Sequence, residues 1–243
     1  MEGIDQSCRP FPEVTLSNRR PQLPHRPVFH HVTGRWRPRW RGRIHGGATL
    51  ITIPAGVALI VAARGTIATI AVTIYAASLC ALFATSASYH LFTRSERAQR
   101  VMQRVDHSMV YVLIAGTYTP VCLLALPRAL GVAYLFLIWI SASVGIALKV
   151  RWRGRKTAAA MYLVIGWAVV FVIPWAYEYI GGVGLSLYAA GGIIFSLGAV
   201  LFYKQWPTLK PEVFGFHELW HVLTVIAVSL QFSASAVLIS RIG

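Results

Sequence analysis

Seven long runs of mostly apolar residues limit this chain to a membrane fold more strongly than any other feature. Each run holds about 20 or more residues, and a helix rising about 1.5 Å per residue then crosses a hydrocarbon core about 30 Å thick. Only 13% of the 243 residues are charged, whereas 56% are hydrophobic. We therefore predict an all-α, polytopic membrane protein, a seven-transmembrane-helix bundle. The predicted spans are 44–63, 66–92, 105–126, 129–148, 157–178, 183–203 and 213–240.

The first 43 residues differ in composition from the rest of the chain. Residues 1–43 are rich in Arg and Pro and show little apolar periodicity. Such a segment lacks the apolar surface that a packed core requires, so we predict a basic, disordered cytoplasmic tail. The transmembrane domain then covers residues 44–243. The tail is expected to lie against anionic lipid, with Trp36 and Trp40 at the interface.

The placement of the basic residues predicts the orientation of the bundle. Nine arginines precede the first span, and the loops after spans two, four and six contain four, five and two Lys or Arg residues. The opposite side receives only Arg64, Arg128 and Arg241. Basic residues in short loops stay cytoplasmic, so we expect the N-terminus inside and the C-terminus outside. Because the net charge of +15 is concentrated in these loops and the tail, it does not indicate nucleic-acid binding.

Four ionisable side chains fall at one predicted depth, near the cytoplasmic ends of their spans. His90 ends span two, Asp106 begins span three, and His217 and His221 lie near the start of span seven. Ionisable groups inside a membrane are costly and usually pair with one another or hold an ion. His217 and His221 share a helix face, as do Ser86 and His90, because each pair is four residues apart. Three imidazoles with an open fourth position are typical of catalytic zinc, so we predict a zinc site.

Each of these residues also has a simpler interpretation. A lone His90 at a helix end is often interfacial. Asp106 at a helix start favours the positive end of the helix dipole, or it pairs with Arg104. Ser86 can bond to a carbonyl one turn earlier. His107 faces about 100° away from Asp106 and is left out of the predicted site.

The segment His217–His221 also matches the H-E-x-x-H helix of metalloproteases, in which the glutamate is the general base. Those enzymes usually take a third ligand downstream, but no His, Asp, Glu or Cys follows His221 in this chain. The third ligand must then come from upstream, at His90 or Asp106. The motif is therefore weak support for a peptidase, and Glu218 is expected to face the cytoplasmic headgroup layer.

Three separated motifs occur in one order along the chain. They are Ser86-Ala-Ser-Tyr-His90, then Val105-Asp106-His107-Ser108 followed by Ile114-Ala-Gly-Thr-Tyr-Thr-Pro120, and Phe216-His217-Glu218-Leu-Trp-His221. Together, over about residues 44–240, they resemble the haemolysin III family. That family is the bacterial branch of the progestin and adiponectin receptor superfamily, which is similar to the alkaline ceramidases. The resemblance implies seven transmembrane helices in a bacterial plasma membrane. It also implies a site with zinc bound by His90, His217 and His221, Asp106 at the zinc-bound water, and Ser86 beside it.

The resemblance also implies a hydrolase-like site. We expect zinc-dependent hydrolysis of a lipid amide or ester, with a membrane lipid or lipid-like molecule as the substrate. Asp106 then orients the water or takes its proton, and Ser86 donates a hydrogen bond to the substrate carbonyl. One alternative is a non-enzymatic, receptor-like or membrane-stress protein with structural zinc. Another is a membrane-lytic or pore protein, which predicts a polar stripe along several helices that the sequence does not show.

Overall fold

The computed structural model describes residues 28–30, 35–151, 155–210 and 212–242. Apart from two short strands near the N-terminus, the regular structure within these ranges is helical, as the predicted all-α class requires. The elements are β1 Val28–His30, β2 Arg35–Arg37, α1 Arg43–Ala62, α2 Thr66–Phe92, α3 Glu96–Leu124, α4 Arg128–Arg151, α5 Arg155–Trp167, α6 Ile173–Lys204 and α7 Phe216–Ile242. A 3-10 turn, Ala168–Val172, joins α5 to α6.

Six stretches within the described residues are long and apolar enough to cross a membrane. Five of them are α1, α2, α3, α4 and α7. The sixth, Ala160–Lys204, combines most of α5 with α6 and has 45 residues. The structure thus supports a polytopic membrane bundle of six such stretches, where the sequence predicted seven spans. The difference lies entirely in the two predicted spans 157–178 and 183–203.

The chain reverses its direction inside α6, at Gly181. Gly181 has φ 69° and ψ 170°, a backbone conformation that side-chain-bearing residues avoid. Trp167 Nε1 donates a hydrogen bond to Ser196 Oγ at 2.9 Å. A straight helix of that length would separate the two residues by about 43 Å, so the segments before and after Gly181 must run back against each other. Arg241, near the end of α7, supports this turn by donating to the Tyr179 carbonyl at 2.9 Å.

Helix α3 begins well before the predicted span at 105. Its first residue is Glu96, and the Ser95 hydroxyl caps the helix by accepting from the Ala98 amide at 3.2 Å. Arg100 and Glu96 form an exposed ion pair one turn apart. Apolar runs reveal only the part of a helix that lies in lipid. The capped, polar first turns were therefore missed by the prediction.

The segment before α1 lies against the loop before α7. The Arg39 amide donates to the Glu212 carbonyl at 3.2 Å, and the Trp40 amide donates to the Val213 carbonyl at 3.4 Å. Farther upstream, β1 and β2 pair in antiparallel register. Residues 1–27 and 31–34 lie outside the described residues, so the disorder predicted for the tail stays a prediction.

The bundle has two buried apolar clusters. One joins α1, α2 and α7 and includes Val72, Tyr75 and Phe83. The other joins α3 and α4 to α5 and α6 and includes Tyr111 and Ile138. Many large apolar side chains remain exposed around the outside, as expected for helices that face lipid. The predicted site lies at the end of the first cluster where α2 ends and α7 begins.

Candidate metal centre

Three imidazoles meet between the end of α2 and the first turns of α7. The candidate ligand atoms of His90, His217 and His221 all lie within 4.8 Å of one another. Nε2 of His90 and Nε2 of His217 are 3.2 Å apart. His90 and His221 are buried and His217 is half-buried. The three histidines that the sequence analysis placed at one depth are therefore close enough to share one ion.

The spacing of these nitrogens suits a small divalent cation. Nitrogen ligands at about 2.0–2.1 Å from a tetrahedral ion lie about 3.3 Å apart, close to the His90–His217 separation. Nδ1 of His221 is buried and makes no hydrogen bond of normal geometry. The candidate ligand atoms of all three residues lie within 4.8 Å of one another, close enough to surround one ion. Imidazole donors suit zinc among other transition metals, so these three residues fit the predicted ion.

A fourth imidazole, which the sequence analysis missed, supports the cluster from α1. The ring of His45 stacks on that of His221, with centroids 3.9 Å apart and planes 9° apart. The lone pairs of imidazole lie in the ring plane, so two parallel rings do not point at one ion. His45 is buried, and neither of its ring nitrogens makes a hydrogen bond of normal geometry. Its position near the start of span one, at the same depth as His90, was the signal that would have found it.

Ser86 and Asp106 lie beside the histidines and interact with each other. Ser86 is buried one turn before His90, and its side chain interacts with the Asp106 carboxyl. Among the described residues, the metal-ligand cluster contains the three histidines without Asp106. Asp106 belongs to neither of the ion pairs found there, so the alternative pairing with Arg104 is not observed.

Glu218 does not face the headgroup layer, as the sequence analysis expected. Its side chain is fully buried, and one carboxylate oxygen forms an ion pair with Arg41. The other oxygen accepts a hydrogen bond from the Gly215 amide at 2.8 Å. The prediction was wrong because the segment before α1 folds over the start of α7 and covers it. With both oxygens engaged, Glu218 is not placed as the free general base of a metalloprotease.

An apolar cavity of about 380 Å³ lies between α3, α5, α6 and α7. At one end its wall includes Val110, one turn beyond Asp106, and Trp220, which is next to His221. From α7 the wall also includes Gln231. Most of its other lining side chains are aliphatic or aromatic. None of the three histidines, Ser86 or Asp106 lines this cavity, and its wall has the character of a site for an apolar molecule.

Comparisons with known proteins cover the same region of the chain. The sequence profile of the family described as Haemolysin-III related matches residues 34–232. The chain is 35% identical to Hemolysin-3 of Bacillus cereus over 193 residues, which are 77% of this chain and 85% of that protein. It is 33% identical to the Hemolysin-3 homolog of Bacillus subtilis (strain 168) over 183 residues, 73% and 82% of the two chains. Monocyte to macrophage differentiation factor of Homo sapiens is 25% identical over 168 residues, 66% and 67%.

Proposed function

Because this chain belongs to the haemolysin III-related family, we propose that it is an integral membrane hydrolase that binds zinc and cleaves an amide or ester bond of a lipid. The observation that carries the proposal is the cluster of His90, His217 and His221. Three imidazoles leave a fourth position of a tetrahedral ion open, which is the arrangement of catalytic rather than structural zinc. Nδ1 of His221, which is buried and without a hydrogen-bond partner among the described residues, supports an ion as a partner for this ring.

The chain's own residues have distinct roles in this proposal. When bound, zinc supplies a Lewis acid that makes water available as a nucleophile near neutral pH. Asp106 orients the attacking water and takes its proton. Ser86 interacts with the Asp106 carboxyl in the free protein and turns its single O–H to the substrate carbonyl as negative charge develops there. His45 keeps the His221 ring in its orientation by stacking on it.

The cavity between α3, α5, α6 and α7 is proposed to hold an acyl chain of the substrate. Its wall is mostly apolar and includes Val110, which lies one turn beyond Asp106 on the same face of α3. A lipid lying in the cavity would place its amide or ester linkage beside the histidines. The apolar walls would also keep bulk water away from the reacting bond.

We also propose seven membrane crossings, with the N-terminus in the cytoplasm of a bacterial cell. The reversal at Gly181 supports a crossing on each side of it, and the distribution of basic residues supports the orientation. Single cysteines at Gly182 and Lys210, in a chain without its own cysteines, test this in intact cells. An impermeant thiol reagent is expected to label the first, and the second only after permeabilisation. Labelling of both from one side contradicts the topology.

Zinc content and lipid turnover test the proposed chemistry. Purified full-length protein is expected to contain about one zinc per chain and to hydrolyse a component of vesicles that contain ceramides and phospholipids. Asp106→Asn should keep the zinc and lose turnover by roughly 10²–10⁴-fold, because the amide is a poor proton acceptor. Wild-type protein that binds zinc and cleaves none of these lipids would contradict the proposal.

Structural zinc in a receptor-like or membrane-stress protein is a second candidate. The cluster joins α2 to α7, and an ion there would hold the two helices together without any chemistry. In that case, chelation of zinc lowers thermal stability, while no lipid turnover depends on Asp106. The lytic or pore alternative has less support, because the cavity wall is mostly apolar and offers no polar path.

A further inference from the structure

Gln231 on α7 places a carboxamide in the wall of the apolar cavity. The residue is half-buried, and its backbone carbonyl accepts a hydrogen bond from the Ser235 hydroxyl at 3.0 Å. Within the described part of the chain, its side-chain amide makes no hydrogen bond. An amide in apolar surroundings is unfavourable unless it has a partner. A polar side chain at this depth therefore points to a ligand that supplies one.

Several neighbouring polar side chains already have partners, unlike Gln231. The hydroxyls of Tyr188 and Ser235 lie 2.9 Å apart and bond to each other. Thr117 and Ser196, which also line the cavity, donate to carbonyls one turn earlier on their own helices, each at 2.8 Å. Among the described residues, these hydroxyls thus have local partners and the carboxamide has none.

The packing around Gln231 makes room for its side chain. A Cβ atom on Gly191 of α6 would lie 2.9 Å from Gln231 Cγ and 2.9 Å from the Ala227 carbonyl oxygen. The missing side chain at Gly191 therefore lets Gln231 lie between α6 and α7 at the cavity wall. The carboxamide is held there by the close approach of two helices.

We propose that Gln231 recognises a hydroxyl on the acyl chain, so that the cavity selects hydroxylated chains over unsubstituted ones. This inference rests on the proposed function, in which the linkage of the lipid lies at the histidines. Gln231 is ten residues beyond His221 on α7, which corresponds to about 15 Å along the helix. A carboxamide both donates and accepts, and so matches a hydroxyl that does the same. The recognised hydroxyl therefore lies about that far from the linkage.

Competition binding to the purified full-length protein tests this selectivity. Stearic acid, 12-hydroxystearic acid and 2-hydroxystearic acid each compete with a fluorescent fatty acid. The 12-hydroxy acid is expected to bind about tenfold more tightly than stearic acid, since it alone pairs with the carboxamide. The 2-hydroxy acid should show no such gain, because its hydroxyl lies beside the carboxylate.

Two variants assign the preference to Gln231. Gln231→Leu keeps a similar volume and should reduce the preference to about one, while stearic acid binds at least as tightly as before. Retained stearic acid binding also shows that the variant is folded. Thr117→Val is the matched control, because it removes a cavity hydroxyl that is already bonded to its own helix. It should leave the preference unchanged.

Three results would each overturn the inference: equal affinities in the wild type, an unchanged preference in Gln231→Leu, or no displacement by any of the acids. The readout is binding and not turnover, so the two proposals fail separately. A Gln231-dependent preference without any lipid hydrolysis would disprove the proposed reaction alone. Hydrolysis that depends on Asp106 without a hydroxyl preference would disprove the selectivity alone.

Discussion

The metal centre and the cavity beside it use polar groups in opposite ways. At the metal centre, four imidazoles and a buried ion pair lie in contact or close to one another, and they come from α1, α2, α7 and the segment before α1. In the cavity, apolar walls enclose about 380 Å³, and the carboxamide of Gln231 has no partner within the described chain. The first region is arranged around a small cation. The second has room for a flexible apolar molecule.

The bundle can thereby keep ion binding and substrate selection in separate groups of side chains. Side chains that hold an ion must be oriented before the ion binds, and each of them depends on its neighbours for that orientation. One side chain of the cavity wall can be replaced without disturbing the others, because it faces the cavity more than it contacts its neighbours. Single substitutions should therefore be severe at the metal centre and mild in the cavity wall.

The largest effect is expected from removing one ligand. His90→Ala should reduce the zinc content from about one ion per chain to nearly none, because two imidazoles on one helix bind zinc too weakly to survive dialysis. Metal analysis of the purified protein measures this. Cys80→Ala is the control on the same helix, because Cys80 has a metal-binding side chain outside the cluster. Full zinc content in His90→Ala would show that the cluster is not the metal site.

The second-largest effect is expected on the stability of the protein, from breaking the ion pair at the metal centre. Arg41→Met leaves the fully buried Glu218 carboxylate without its cation, which should lower the free energy of unfolding by roughly 3 kcal/mol. Arg41→Met combined with Glu218→Gln should recover most of this loss, since the amide oxygen still accepts from the Gly215 amide. Unfolding by titrated denaturant in detergent gives the values.

An exposed ion pair on α3 provides the matched control for this measurement. Arg100 and Glu96 form it at 3.1 Å, with side chains 61% and 74% exposed. Arg100→Met should therefore cost less than about 1 kcal/mol. If Arg41→Met and Arg100→Met lower the free energy of unfolding equally, the burial of the Arg41–Glu218 ion pair adds nothing to stability.

The stacked ring of His45 should have a smaller effect, on metal affinity. His45→Leu is expected to weaken zinc binding about tenfold, because the His221 ring loses the plane that orients it. His45→Phe keeps an aromatic face and should bind zinc nearly as well as the wild type. Competition with a chelator measures both affinities. If the Phe variant binds zinc as weakly as the Leu variant, the nitrogens of His45 support zinc binding and its stacked ring does not.

The contrast between the two regions also explains what could be predicted from the sequence. Apolar runs and basic loops place His90, His217 and His221 at one depth, so that part of the site follows from helix geometry. His45 satisfies the same depth criterion, but a lone histidine near a helix start looks interfacial without its stacking partner. The burial of Glu218 depends on Arg41, which lies before the first span and returns over α7. No periodicity in the sequence encodes that contact.

The cavity and the exact helix boundaries were harder to predict for a different reason. Gly181, where the chain reverses, lies in the gap between predicted spans 157–178 and 183–203. The ends of the two apolar runs therefore located this reversal. The polar start of α3 was missed, since apolar runs mark only the part of a helix that lies in lipid. The cavity depends on how α3, α5, α6 and α7 leave space between them. That space is a property of packing, and hydropathy carries no information about it.

The smallest expected effect lies in the cavity wall, at the contact between Trp167 and Ser196 that joins the two halves of the reversal. Ser196→Ala removes the acceptor of the Trp167 hydrogen bond and should cost about 0.6 kcal/mol, the usual value of such bonds between membrane helices. Ser143→Ala is the control, because its exposed hydroxyl bonds only to its own helix at 2.8 Å, and it should change stability by less. Denaturant titration in detergent compares the two variants. A loss at Ser196 as large as that of Arg41→Met would mean that the side chains of the cavity wall depend on one another as strongly as those of the metal centre, and the separation of the two regions would not hold.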